Sequence, residues 1–221
     1  MTPSIDTPLV TALLDRLYTE TLRVDPLERR AASELGFDDS HPQFYQALQR
    51  AHLPVTPDFG RMLYVVTRLR RARCIVEFGT SFGISTLFLA AALRDNGGGR
   101  LITTELHAEK AERAAANLKA GGLADLVEIR VGDALETLQD FPKGGVDLLF
   151  LDGAKNSYLP LLRVLGPALI PGSALLSDNV DMASAKEYVT HVKDPQNGWI
   201  RAPFFSFALD RHHGHELLLR V

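Results

Sequence analysis

Short aliphatic runs, each ending on a glycine or an acidic residue, recur between helical stretches from residue 74 onward. This alternation is what most limits how the chain folds. Cys74-Ile75-Val76-Glu77-Phe78 runs into glycines, and Leu101-Ile102-Thr103-Thr104 ends at Glu105. Residues 127–131 end at Gly132-Asp133, residues 146–151 at Asp152, and residues 174–177 at Asp178. Between them, residues 85–93, 108–120, 159–169 and 183–192 read as helices. Gly121-Gly122 closes the second and Pro171-Gly172 the third. Strands alternating with helices give βαβ units and a parallel sheet, and right-handed crossovers place helices on both faces. The last two strands, 199–209 and 216–221, are joined only by the polar turn 210–214 and pair antiparallel. Ahead of the sheet, Val10, Leu13, Leu14, Leu17 and Tyr18 recur at helical spacing, and residues 42–51 and 58–70 read as two more helices. The expectation is one domain over residues 1–221, with a helical cap (1–70) on an α/β core (71–221) of seven mostly parallel strands whose last strand is antiparallel.

Bulk properties narrow the function classes. A formal net charge of −3 and a pI near 6.2 give no pull towards nucleic acid or an anionic membrane. The single Cys74 excludes an internal disulfide, fits a reducing compartment and lies in an apolar run as a core residue. No stretch approaches the ~20 apolar residues of a membrane span. Met1 to Asp6 carries neither a basic region nor an apolar signal core. The chain reads as cytoplasmic.

The first strand leads into Gly79-Thr80-Ser81-Phe82-Gly83, a G-x-x-x-G spacing with Glu77 two residues ahead. A pyrophosphate favours backbone N–H groups with no carboxylate nearby, so Glu77 argues against a dinucleotide and suits a ligand bearing an ammonium group. Glu105 is placed to accept both hydroxyls of a ribose, or to cap the next helix. Asp133 is placed to meet an adenine amino group, or equally to cap residues 134–138. Taken in order at successive strand ends, the three describe a pocket for an amino acid, a ribose and an adenine, which is S-adenosylmethionine.

Asp152 and Asp178 end what read as adjacent strands, about 4.8 Å apart. Two carboxylates with the Asn179 amide form a hard-cation site for Mg²⁺, Mn²⁺ or Ca²⁺. Each acid alone is as readily a helix cap. A phenol titrates near pH 10, so it needs a cation and a base to act at neutral pH. Lys155, three residues after Asp152, is the candidate base, its proton loosened by nearby positive charge.

Residues 76–86, Glu105, Gly132-Asp133-Ala134, Asp152 to Lys155 with Tyr158, and Asp178-Asn179-Val180 resemble the class I S-adenosylmethionine-dependent O-methyltransferases, most of all the cation-dependent catechol and caffeoyl-CoA group. The likeness covers residues from about 50 to 181. It implies a Rossmann-like fold, a small aromatic hydroxyl acceptor and a homodimer. It places Glu77, Gly79, Ser81, Ser85, Glu105 and Ala134 around the cofactor, with Val55 from the cap and Asp152 serving both cofactor and cation. The chain departs from that pattern after Val180, where Asp181-Met182-Ala183 replaces a tryptophan-and-glycine segment, and in the hairpin, where His212-His213-Gly214-His215 replaces a glycine-aspartate-glycine turn. Gly153-Ala154 is leaner than in the animal catechol enzymes. The three histidines read as a solvated turn. Competing readings are a transfer-RNA hydroxyuridine O-methyltransferase of the same fold, a non-catalytic cofactor-binding protein and a nicotinamide oxidoreductase. The acidic balance, the intact Asp152, Lys155, Asp178 and Asn179, and the glycine spacing disfavour them in turn.

Overall fold

The computed structural model describes residues 2–36, 42–208 and 211–221. Strands β1 (Cys74–Phe78), β2 (Arg100–Glu105), β3 (Val127–Val131), β4 (Val146–Leu151), β5 (Leu169–Ser177), β6 (Trp199–Ala208) and β7 (Arg211–Arg220) form one sheet in the order β3-β2-β1-β4-β5-β7-β6. β1 to β5 are parallel, and β7 pairs antiparallel with both β5 and β6. The helices are α1 (Pro8–Glu34), α2 (Pro42–Ala47), α3 (Pro57–Arg70), α4 (Ile84–Asp95), α5 (Ala108–Ala120), α6 (Ala134–Thr137), α7 (Tyr158–Leu165) and α8 (Lys186–Lys193).

Neighbouring residues of each central strand serve opposite faces. Ile75, Leu101, Leu148, Phe150 and Leu176 pack with α1, α3 and α4. Val76, Ile102, Leu149, Leu151 and Leu175 pack with α7 and α8. Burial on both faces is why these strands read as unbroken aliphatic runs. On α1, Val10, Leu13, Leu14 and Leu17 form one buried stripe. On α3, Thr56 caps the first turn by accepting from Phe59 N (3.2 Å), and Pro57 opens the helix where no N–H is needed.

Strand order reverses between β1 and β4, the point at which ligands of open α/β sheets lie outside the carboxyl ends. Phe78 stands in register with Thr104 and Leu151, and Leu151 with Ser177. The residues that follow are therefore brought to one edge. Backbone bonds fix them there: Asp152 N to Phe78 O (2.8 Å), Asp178 N to Leu151 O (2.9 Å), Gly79 N to Thr104 O (3.2 Å) and Gly132 N to Glu105 O (2.9 Å).

The structure corrects several boundaries. α7 ends at Leu165 instead of 169, because Pro167 has no N–H with which to continue it. Pro171-Gly172 then lies inside β5. There Gly172 at φ +91° and Ser173, which accepts from Ile170 N (2.9 Å) and donates to Val146 O (2.6 Å), absorb a register shift against β4. The helix expected over 42–51 stops at Ala47, just before Leu53 adopts φ +48°. The helix expected over 183–192 opens as a tight turn at Ala183–Ala185. β7 begins at Arg211, so residues 211–214 of the expected turn are strand, and residues 209–210 lie outside the described residues. No helix among the described residues is long and apolar enough to cross a membrane.

Candidate active site

The loop from β1 to α4 folds back through Gly79 (φ +99°), Ser81 (+47°) and Gly83 (+84°). Gly79 has no room for a side chain, since a Cβ there would lie 2.5 Å from the Asp152 carbonyl oxygen. The loop thus lies directly against the end of β4 and lines a cavity of about 360 Å³. Val55, Gly79, Ser81, Ser85, Glu105, Asp133, Ala134 and Asp152 all line it. The Glu105 carboxylate is held in place by Ser81 N at 2.8 Å and His107 N at 3.0 Å. Asp133 caps α6 by accepting from Leu135 N (2.8 Å) and also forms part of the cavity wall.

Glu77 does not line the cavity. Its carboxylate is wholly buried beneath α4, where it accepts from Ser85 Oγ and Thr86 Oγ1, each at 2.6 Å. It meets the cavity only through Ser85. Burial pushes its carboxyl up to about 7, with the hydroxyl bonds pulling the other way. A folded value above the ordinary 4.5 means the fold binds this proton more tightly than the unfolded chain does. The stability it contributes is full below about 4.5 and is lost as the pH rises to about 7. The expected result is that Glu77→Gln gains on the parent protein by on the order of 3 kcal/mol between pH 5 and 8. Urea midpoints at the two pH values check this, and a constant difference between the proteins rules it out.

A second, smaller cavity of about 140 Å³ opens beside the first, and Asp152 and Gly153 line both. Lys155, Asp178 and Asn179 form its polar end, and Phe44, Tyr45 and Met182 lie on its apolar wall. Lys155 Nζ is 3.3 Å from Asp152 Oδ1, and Asp178 Oδ1 is 2.7 Å from His215 Nδ1. Tyr158 ties the two strand ends together, its hydroxyl reaching Leu151 O (2.8 Å) and Asp178 O (3.0 Å). Burial and the Asp178 charge raise the Asp152 carboxyl well above its usual range. Burial also acts on Asp178, but His215 and Lys155 outweigh it and hold that carboxyl low. Burial alone would lower the Lys155 ammonium, but Asp152 and Asp178 raise it.

A family model described as a methyltransferase domain matches residues 76–180. The catechol O-methyltransferase of Niastella koreensis is 34% identical over 153 residues, covering 66% of this chain and 68% of that one. The catechol O-methyltransferase of Mycobacterium tuberculosis is 33% identical over 149 residues, covering 66% and 67%. Among solved structures, an O-methyltransferase of tomaymycin synthesis from Streptomyces achromogenes, in complex with S-adenosylmethionine, superposes with a TM-score of 0.69 at 27% identity, covering 89% of this chain and 88% of that one. The chain belongs to the class I S-adenosylmethionine-dependent O-methyltransferases.

In this methyltransferase the sequence reading missed five residues near the site. His52 is buried and stacks on Phe82 with ring centroids 4.2 Å apart, and its carbonyl accepts from Ser81 Oγ (2.7 Å). Asp25, distant in sequence, accepts from His52 N (2.7 Å) and Leu53 N (2.8 Å) and so pins this segment of the cap over the glycine loop. Burial pushes the Asp25 carboxyl up, and the bonds from His52 and Leu53 outweigh it and hold it low. Lys110 lines the larger cavity with its ammonium 3.4 Å from Ser81 Oγ, and burial lowers it against the pull of Glu105 and Asp25. The only sequence signal for Lys110 was its place on the face shared with Ala114 and Asn117. His213 and His215 are the others. The expected solvated turn is overturned here: His215 is 2% exposed and lies between Phe59 and Phe204 (centroids at 4.4 and 5.0 Å). Because β7 starts earlier than expected, strand alternation turns both histidines into the smaller cavity.

Proposed function

We propose that this enzyme methylates one hydroxyl of a small aromatic vicinal diol, with the methyl donor in the larger cavity and the acceptor in the smaller one. The observation that carries the reading is that Asp152 and Gly153 line both cavities, with Lys155 beside them on the acceptor side only. S-adenosylmethionine supplies a methyl carbon on a sulfonium; the oxygen–carbon bond forms as the carbon–sulfur bond breaks, and the sulfur leaves as a neutral thioether.

Among the described residues, no three His, Cys, Asp or Glu side chains are grouped to hold a metal ion. The donor set is instead two carboxylates and the Asn179 amide, all oxygen donors, which fits a hard divalent cation, Mg²⁺ first. Two carboxylates brought to the wall of one cavity support the same reading. When bound by Asp152, Asp178 and Asn179, such a cation would neutralise the pair, favour the phenolate of a chelated diol and release Lys155 from the charges that hold its proton. Lys155 Nζ is placed to take the proton of the acceptor hydroxyl. Phe44, Tyr45 and Met182 clamp the ring and exclude water, which supplies the near-attack orientation. Residues 1–70 act as the cap of a single catalytic unit. The cytoplasm suits the lone Cys74, which is a free thiol.

The test is methyl transfer to catechol with Mg²⁺ and with EDTA. Turnover is expected to fall at least about tenfold in EDTA and to return with added Mg²⁺. Equal turnover in EDTA removes the cation from the reading, and no transfer to any catechol removes the acceptor class.

A further inference from the structure

We infer that His215 and His213 are positioning residues that hold Asp178 and Asn179 in the orientation a divalent cation needs. The inference rests on the cation reading above. His215 Nδ1 faces Asp178 Oδ1 at 2.7 Å. Its Nε2 shares a hydrogen bond with Ser206 Oγ at 2.7 Å, so the ring has a polar contact at each nitrogen. Phe59 and Phe204 fix its plane. An amide nitrogen only donates, so Asn179 Nδ2 gives its N–H to His213 Nδ1 at 3.0 Å and keeps Oδ1 as its oxygen donor. Asn179 itself stands at φ +50°, a left-handed conformation that asparagine tolerates and that the neighbouring contacts sustain.

Gly214, between the two histidines, completes the clamp. Its carbonyl accepts from Val180 N (2.8 Å), and its N–H donates to Asp181 Oδ1 (3.0 Å). A Cβ at Gly214 would lie 3.1 Å from the Asp181 Cβ, so the two segments are already in close contact. Residues 178–181 are thus held from one side by three consecutive residues of β7. Partners that orient a ligand from behind are worth 10- to 100-fold in metal affinity, as an order of magnitude.

The test is a Mn²⁺ titration of the full chain, read by loss of the free-ion electron paramagnetic resonance signal. His215→Ala is expected to weaken Mn²⁺ binding by about 10- to 100-fold. His215→Asn, whose amide nitrogen can replace Nδ1, is expected to recover most of the affinity. His213→Ala, at a half-buried position, is expected to weaken it by about tenfold. S-adenosylmethionine affinity by calorimetry should be unchanged in all three, because neither histidine lines the larger cavity. Should His215→Ala fail to fold, His215→Asn and His213→Ala decide the matter. Wild-type Mn²⁺ affinity in His215→Ala and His213→Ala overturns the positioning role and leaves the cation reading standing. A wild-type protein that binds no Mn²⁺ overturns both.

Discussion

Replacing Lys155 with alanine lowers kcat for a catechol acceptor by about 10²- to 10⁴-fold, the span expected when a positioned base is removed. Affinity for S-adenosylmethionine stays within about twofold, because Lys155 lines the smaller cavity and not the larger one proposed for the donor. Alanine also leaves two buried carboxylates without their ammonium, so a lower activity on its own does not separate chemistry from local repulsion. Lys155→Arg separates them. The guanidinium keeps the charge beside Asp152 but does not give up its proton near neutral pH. The arginine variant is expected to match the parent in thermal unfolding while remaining at least about 10²-fold slower. An arginine variant with full turnover shows that the position needs only charge, and Lys155 is then not the base.

Gly79→Ala is the second large effect, and it acts through the backbone. The added Cβ meets the Asp152 carbonyl oxygen at 2.5 Å and its carbon at 2.8 Å, and the residue is held at φ +99°. Overpacking costs about 1–3 kcal/mol and a left-handed alanine roughly 1–2 kcal/mol more. The sum, about 2–5 kcal/mol, lowers the unfolding temperature by roughly 5–15 °C in a chain of this size. The group pushed aside carries Asp152, so the two cavities it lines shift relative to each other. A displacement near 1 Å is expected to cost on the order of 10²-fold in turnover. Scanning calorimetry and single-turnover methyl transfer check the two halves, and an alanine variant as stable and as fast as the parent refutes the argument.

How far the sequence could be read follows from how local each signal was. β1, β2, β4 and α5 were legible because apolar runs buried on both faces and terminal glycines are properties of a few consecutive residues. Pro171-Gly172 misled because the same residues that end a helix also make a bulge, and only the register against Val146 tells them apart. The strand-end acids were legible for a similar reason, since each follows its own run. Glu77 was read as facing a ligand, yet strand parity and the hydroxyls of Ser85 and Thr86 draw it under α4. His52 depends on Asp25, and His215 on Asp178 and Ser206, so neither environment is written near the residue itself.

The lean Gly153 has a consequence for changing which acceptors this enzyme takes. A Cβ at that position would lie 2.4 Å from the Phe78 ring, so the space a larger residue would fill is already occupied from the β1 side. Phe78 also lines the larger cavity, the one proposed for the donor. Acceptor scope and donor fit are therefore joined through one ring. Laboratory evolution that enlarges residue 153 must trim residue 78 in the same step, a two-mutation path with an unfavourable intermediate on either side.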